Sequence, residues 1–258
     1  MTKQILIKDV MAKPTTISKS AKITEALDKM LESGADPLIA LNNNSVVGTV
    51  SRQAIARKLG SRQNSDIAPS AIHVASVVEE EFTSVYPDES VNVLVPLLQR
   101  YKLVVVYDAD HKLIGQVGAS DLLKKFRPDV GLDAVTEKIL TIASDERVVH
   151  LRRRMLDDSI NRFVVTENEK FSGIVTETDV AVAMRKFRKS VEDNHQDHRI
   201  RNLIVKDIMS IPLISVENTA ALSDVVDLML RKNISCVPVM EKNKPIGVVT
   251  RQSLINAL

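Results

Sequence analysis

The chain has one cysteine, no tryptophan, and only three tyrosines and five phenylalanines among its 258 residues. A lone thiol, Cys236, excludes an intramolecular disulfide framework and a cysteine-rich zinc centre, which fits a reducing compartment. Lying in an apolar run, it reads as a small buried side chain. An excess of charge of either sign is also missing. The 35 Lys and Arg against 33 Asp and Glu leave a formal charge of +2, too little for a surface that coats nucleic acid. No apolar run approaches the roughly 18 residues that a membrane-spanning helix needs. The first eight residues lack the apolar stretch of a secretory signal, so the expected location is the cytosol. With aromatics scarce, the core falls to Val, Ile and Leu, which suit buried strands packed on amphipathic helices.

What the sequence does have is a repeat. Four leucines near the ends of helix-patterned segments are each followed 17 residues later by a glycine: Leu31 and Gly48, Leu98 and Gly115, Leu156 and Gly173, Leu230 and Gly247. Each glycine opens a similar string, such as Gly173-Ile174-Val175-Thr176 and Gly247-Val248-Val249-Thr250. A unit of about 55 to 70 residues used four times consumes nearly the whole length and leaves no room for a separate catalytic domain. The boundaries read as 1–60, 71–126, 132–188 and 202–258. Polar or charged linkers fall at 61–70 and 189–201, and a turn at 127–131.

Within repeat 4, Leu222, Val225, Val226, Met229 and Leu230 recur at three- and four-residue steps, predicting a helix with one apolar face, capped by Asn218 or Ser223 and ending near Asn233. Two apolar runs follow, 235–240 and 246–249, separated by turn chemistry, so a hairpin is expected. Thr250 to Ser253 then stands where a strand turns into a terminal helix over 254–258, a place where hydroxyls and backbone N–H groups meet anions readily. Repeats 1 to 3 reproduce this order.

Lys8-Asp9-Val10-Met11 and Lys206-Asp207-Ile208-Met209, the hairpin, and the span from Gly173 to Asp179 together resemble the cystathionine β-synthase (CBS) domain over the whole chain. That resemblance implies a mixed α/β fold of four β-α-β-β-α units. They would be paired as two Bateman modules, repeats 1 with 2 and 3 with 4, in a pseudo-symmetric disk. It also implies clefts for adenosine-containing ligands: AMP, ADP, ATP or a molecule like S-adenosylmethionine. Related modules stack face to face, which implies either a homodimer or a disk closed by the four units of one chain.

The resemblance also implies roles. The Asp six residues after the hairpin glycine meets ribose hydroxyls, the Ser or Thr three after it meets phosphate or ribose, and a basic residue at the start of the first hairpin strand meets phosphate. The chemistry is sensible, since a carboxylate accepts from a cis-diol while a guanidinium donates to anionic oxygens. Repeat 3 fits best, with Asp179, Thr176, Arg162 and the adjoining Asn161. Repeat 2 keeps Asp121 and Lys102 but has Gly118 at the hydroxyl position. Repeat 1 has Ser51 but Ala54 in place of Asp, and Asp36 lies where a cation is wanted. Repeat 4 has Thr250 but Ser253 in place of Asp, and is expected to wall the cleft of repeat 3. Without the resemblance, an Asp or Thr at these junctions is a helix cap.

Two clusters point to no ligand. His195 and His198 lie three apart in a polar linker that shows no further sure nitrogen ligand, so they read as solvated. Arg152, Arg153 and Arg154 share a helix with Asp157 and Asp158, an internally paired face. The leading expectation is a regulatory sensor, not an enzyme, acting on a protein partner through the packing of its modules. The alternative is a ligand-free scaffold or a nucleic-acid-binding member of the family.

Overall fold

The computed structural model describes residues 4–59, 69–157, 160–168, 170–190, 202–211, 214–242 and 244–258. The linkers expected at 61–70 and 189–201 lie almost wholly outside them, as do His195 and His198.

Each repeat builds the same unit. In repeat 1 a short strand, β1 (Thr16–Ser18), precedes helix α1 (Ile23–Ser33), the hairpin β2 (Leu38–Asn42) and β3 (Ser45–Val50), and helix α2 (Arg52–Leu59). Repeat 2 follows with β4 (Thr83–Val85), α3 (Leu94–Arg100), β5 (Leu103–Tyr107), β6 (Leu113–Gly118) and α4 (Ala119–Leu123). Repeat 3 opens with an extra strand, β7 (Thr136–Glu137), before β8 (Thr141–Ala143), α5 (Val148–Asp157), β9 (Arg162–Glu167), β10 (Lys170–Thr176) and α6 (Glu177–Ser190). Repeat 4 has β11 (Val216–Glu217), α7 (Leu222–Lys232), β12 (Cys236–Glu241), β13 (Lys244–Thr250) and α8 (Arg251–Asn256). In every unit the strand just before the first helix (β1, β4, β8 or β11) runs parallel to the first hairpin strand, and the two hairpin strands pair antiparallel. The parallel pairing requires a crossover, which the first helix supplies. All four hairpins carry a register shift beside the glycine, the extra residue of a β-bulge.

The predicted helix of repeat 4 forms over α7 with its apolar face buried, but neither Asn218 nor Ser223 caps it. Ala221 is the N-cap residue and is extended, because the apolar periodicity starts one residue later and leaves Ser223 inside the first turn. Asn233 ends the helix in the left-handed conformation, φ 50°, which Asn tolerates better than most residues. The terminal helix starts at Arg251, three residues earlier than expected. Leu31, the repeat 1 counterpart of Leu230, is 44% exposed. The buried stripe of α1 is Ile23, Ala26, Leu27 and Met30, and residue 31 has turned past it.

The segment that opens each repeat does not lie on its own sheet. Ile7 and Val10 are buried in a core with residues of repeat 2, while Val74 and Val77 of repeat 2 are buried against repeat 1. Repeats 3 and 4 exchange in the same way. Leu132 and Val135 join the core of repeat 4, β7 pairs with β13, and Leu203 and Val205 join repeat 3. This reciprocal crossing ties repeats 1 and 2 into one module and 3 and 4 into another. The two large cores run between the modules. One joins repeats 1 and 3, with α2 packed on α6, and the other joins 2 and 4, with α3 and α4 packed on α8. A bidentate ion pair between Asp28 and Arg185 also crosses between modules, and Arg127, in the turn that joins them, pairs through one contact with Asp227 at 2.6 Å.

The crossing gives the recurrent glycine its physical reason. The carbonyl of the exchanged segment passes directly over it: Glu79 over Gly48, Ala12 over Gly115, Ser210 over Gly173 and Glu137 over Gly247. A Cβ there would stand 3.3 Å from the carbonyl at Gly115, 2.9 Å at Gly173 and Gly247, and nearer still at Gly48. A Cβ would force the crossing carbonyl to shift, least at Gly115 and most at Gly48, and glycine avoids that clash.

Candidate functional site

The second helices of the four repeats start around one cavity of about 440 Å³, whose walls come from all four units. Its cationic side chains are Lys13, Arg52, Lys102, Arg162 and Arg251, and its acids are Asp36, Asp121 and Glu177. Burial raises the Glu177 carboxyl above its ordinary value, partly opposed by the charges of Lys102 and Arg57 and a hydrogen bond from Gln53. Burial also lowers the Arg251 guanidinium, and the charge of Arg52 adds to this. The wall therefore carries an excess of positive charge, so it suits an anion.

Five of the six residues singled out in the sequence line this cavity: Lys102, Asp121, Asn161, Arg162 and Thr176. Asp179 does not. Its Oδ2 accepts from the Thr176 backbone N–H at 2.7 Å and from Thr176 Oγ1 at 2.6 Å, and its Oδ1 accepts from Ser210 Oγ at 2.7 Å. It is a helix-capping carboxylate engaged on both oxygens. Asp121 makes the same kind of cap, accepting from the Gly118 N–H at 3.0 Å, and among the described residues its other oxygen meets the exposed Lys124 ammonium at 3.0 Å. In repeat 4, Thr250 and Ser253 cap each other while almost fully buried. In repeat 1, Ser51 Oγ donates to Glu79 at 2.9 Å.

The exchanged segments differ in what they bring to each strand-to-helix junction. The residue whose carbonyl covers the hairpin glycine is Glu79 for repeat 1, Ser210 for repeat 3, Glu137 for repeat 4 and Ala12 for repeat 2. Glu79 and Ser210 reach the polar groups of their clefts, whereas Ala12 is a methyl group in the cavity wall. Lys13, Gln116, Arg52 and Arg251 went unassigned in the sequence. The two arginines follow the hydroxyl position directly, in Ser51-Arg52 and Thr250-Arg251. That shared offset was the available signal.

The fold and the cavity define a tandem-repeat protein whose four α/β units jointly wall one cationic site. The CBS domain model matches residues 7–61, 74–128, 130–186 and 205–258, and the chain belongs to the CBS domain family. An uncharacterized protein of Methanocaldococcus jannaschii, MJ1404, is 24% identical over 98% of this chain. An uncharacterized Methanopyrus kandleri protein, MK0525, is 30% identical over 45% of it. The chain spans 60% and 56% of the lengths of these two relatives. The crystal structure of M. jannaschii protein MJ1225, proposed as an archaeal homologue of g-AMPK, superposes with a TM-score of 0.79. The identity is 21%, over 98% of this chain and 99% of that one, a likeness that shows the fold. Among the described residues no helix is long and apolar enough to cross a membrane, and no group of three or more metal-ligating side chains is present.

Proposed function

We propose that the chain is a regulatory protein that binds an adenosine-containing ligand in the cleft of repeat 2. Asp121 would receive the ribose and Lys102 the nearest phosphate. The carrying observation is Ala12, which leaves open beside Asp121 the space that Glu79 and Ser210 fill in repeats 1 and 3. The fold shared with a protein proposed as a g-AMPK homologue supports the ligand class. Because the cavity is walled by both modules, a ligand there would bias how the modules pack, and a partner protein could read that change. The Asp179 cleft ranks second, since a ligand would first have to displace Ser210 and open a cap.

Calorimetry with AMP, ADP, ATP and S-adenosylmethionine tests this reading on the wild type, Asp121→Ala and Asp179→Ala. A charge-assisted hydrogen bond is worth about 1.5 to 3 kcal/mol, so Asp121→Ala should weaken binding about tenfold or more, and Asp179→Ala much less. The reverse ranking, or no binding of any of the four, sinks the proposal.

A further inference from the structure

The histidine at the tip of the repeat 2 hairpin stands between two tyrosines. Tyr86 and Tyr107 meet the His111 ring edge-on, with ring centroids 6.2 and 6.3 Å away, a favoured geometry for aromatic pairs. The chain has only three tyrosines, so two of them converge here. Tyr107 and Leu113 root the cluster on the small core between the sheets of repeats 1 and 2, while Tyr86 is 44% exposed and His111 is also exposed. Lys102 and Gly118, which line the cavity, lie at the opposite end of the same hairpin. This rim is therefore separate from the site described above.

The internal repeat shows that the fold does not need these rings. In each unit the hairpin glycine pairs with Ala40, Val106, Val165 or Val239. The next position along the two parallel strands carries Ser18 and Leu41 in repeat 1, Ala143 and Thr166 in repeat 3, and Glu217 and Met240 in repeat 4. In repeat 2 it carries Tyr86 and Tyr107. The repeat 2 hairpin is also one residue longer, since Val106 stands nine residues before Gly115 and its counterparts stand eight before their glycines. In the other three turns the left-handed residues are Asn43 and Asn44, Asn168 and Lys242, where repeat 2 has His111 at φ 57°. A requirement of folding would recur in all four units, and this arrangement occurs once.

The rim is acidic as well as aromatic. Residues 6–9 run beside 86–90, with the Ile7 N–H donating to the Glu89 carbonyl and the Lys8 N–H to the Pro87 carbonyl, both at 3.0 Å. Together with the hairpin tip, 107–113, these segments carry Asp9, Asp88, Glu89, Asp108 and Asp110 against Lys8 and Lys112, a net charge of −3 in a chain whose net charge is +2.

We propose that this rim is a docking surface for an arginine-bearing segment of a partner protein. A guanidinium stacks on the face of a tyrosine in a way that a compact ammonium does not, and the surrounding carboxylates steer it there. Tyrosine is among the side chains that most often anchor an interface. The proposal is independent of the ligand reading, and either can fail without the other.

The test titrates the full chain with a glycine–serine peptide bearing arginines and with the same peptide bearing glutamates. Calorimetry gives the affinity, and tyrosine fluorescence, which no tryptophan masks, reports on the rim. The variants are Tyr86→Ser and His111→Asn, residues that other repeats use at these positions, with thermal melts to confirm folding. The arginine peptide should bind and change the fluorescence, and the glutamate peptide should not. Tyr86→Ser should weaken binding about fivefold, as the loss of one cation–π contact predicts, and His111→Asn should weaken it by freeing the rings that it holds. No binding of the arginine peptide, equal binding of the glutamate peptide, or unchanged affinity in Tyr86→Ser overturns the proposal. So does sedimentation of a dimer that Tyr86→Ser dissociates, which would give the rim to a second copy of the chain.

Discussion

Gly48→Ala should destabilise the protein by about 3 kcal/mol, the sum of two costs of similar size. Gly48 has φ 144°, and an L-residue held in such a region costs about 1 to 3 kcal/mol. The added methyl group would also press on the Glu79 carbonyl and stand 2.7 Å from Val78 Cγ1, an overpacking that costs about 1 to 3 kcal/mol more. Relief by movement is blocked. Glu79 and Thr49 exchange backbone hydrogen bonds at 2.8 and 2.9 Å, so lifting the carbonyl breaks the crossing that joins repeats 1 and 2. For a chain of this size the loss corresponds to a melting point about 6 to 12 °C lower. Gly118→Ala is the matched control. A Cβ there meets nothing closer than 3.8 Å and the backbone lies at φ −114°, so its melting point should stay within about 2 °C. Equal melting points for the two variants would remove the close approach of Glu79 as the reason for the glycine.

That glycine also shows why the repeat was legible in the sequence. The leucine-to-glycine spacing repeats because each unit must end its first helix, turn a hairpin and present a bare backbone to a segment from its neighbour. A steric requirement of this kind leaves a mark at a fixed position. What leaves no mark is which unit faces which. The stripes of α1 and α7 are equally apolar, and nothing in either says that one is buried in a core shared with repeat 3 and the other in a core shared with repeat 2. Long-range pairing of interchangeable Val, Ile and Leu faces is decided by shape.

The site was legible in part, for a related reason. Lys102, Arg162, Asn161, Thr176 and Asp121 reach the cavity wall because hairpin starts and strand-to-helix junctions have fixed directions in the fold. Asp179 occupies the same motif position as Asp121, yet it is withdrawn from the wall because Ser210, 31 residues further along, donates to its free oxygen. No inspection of the motif alone could show this, since the deciding residue belongs to another repeat. Arg52 and Arg251 escaped notice because an arginine that opens a helix usually solvates its head. Here the convergence of four repeats encloses it instead.

The second large effect should come from closing the open cleft with the device that repeat 1 already uses. Ala12 exchanges backbone hydrogen bonds with Gln116 at 2.9 and 3.0 Å, the pairing that Glu79 makes with Thr49. Ala12→Glu therefore sends a carboxylate from an unchanged backbone toward Gly118 and Asp121, as Glu79 reaches Ser51. A carboxylate there fills ribose space, and its like charge opposes both Asp121 and an incoming phosphate. Loss of one charge-assisted bond together with this repulsion should weaken nucleotide binding by about a hundredfold, roughly 2.7 kcal/mol. Stability should change by no more than about 0.5 kcal/mol, since residue 12 is only partly buried and its backbone pairing is kept. Ala12→Ser, which imitates Ser210, should fall between wild type and Ala12→Glu, because a hydroxyl occupies the Asp121 oxygen without adding charge. Calorimetry with the tightest-binding nucleotide and a thermal melt of each variant give the order. Affinity unchanged in Ala12→Glu, with the fold intact, would move the ligand away from repeat 2 and make Asp179 the residue to test next.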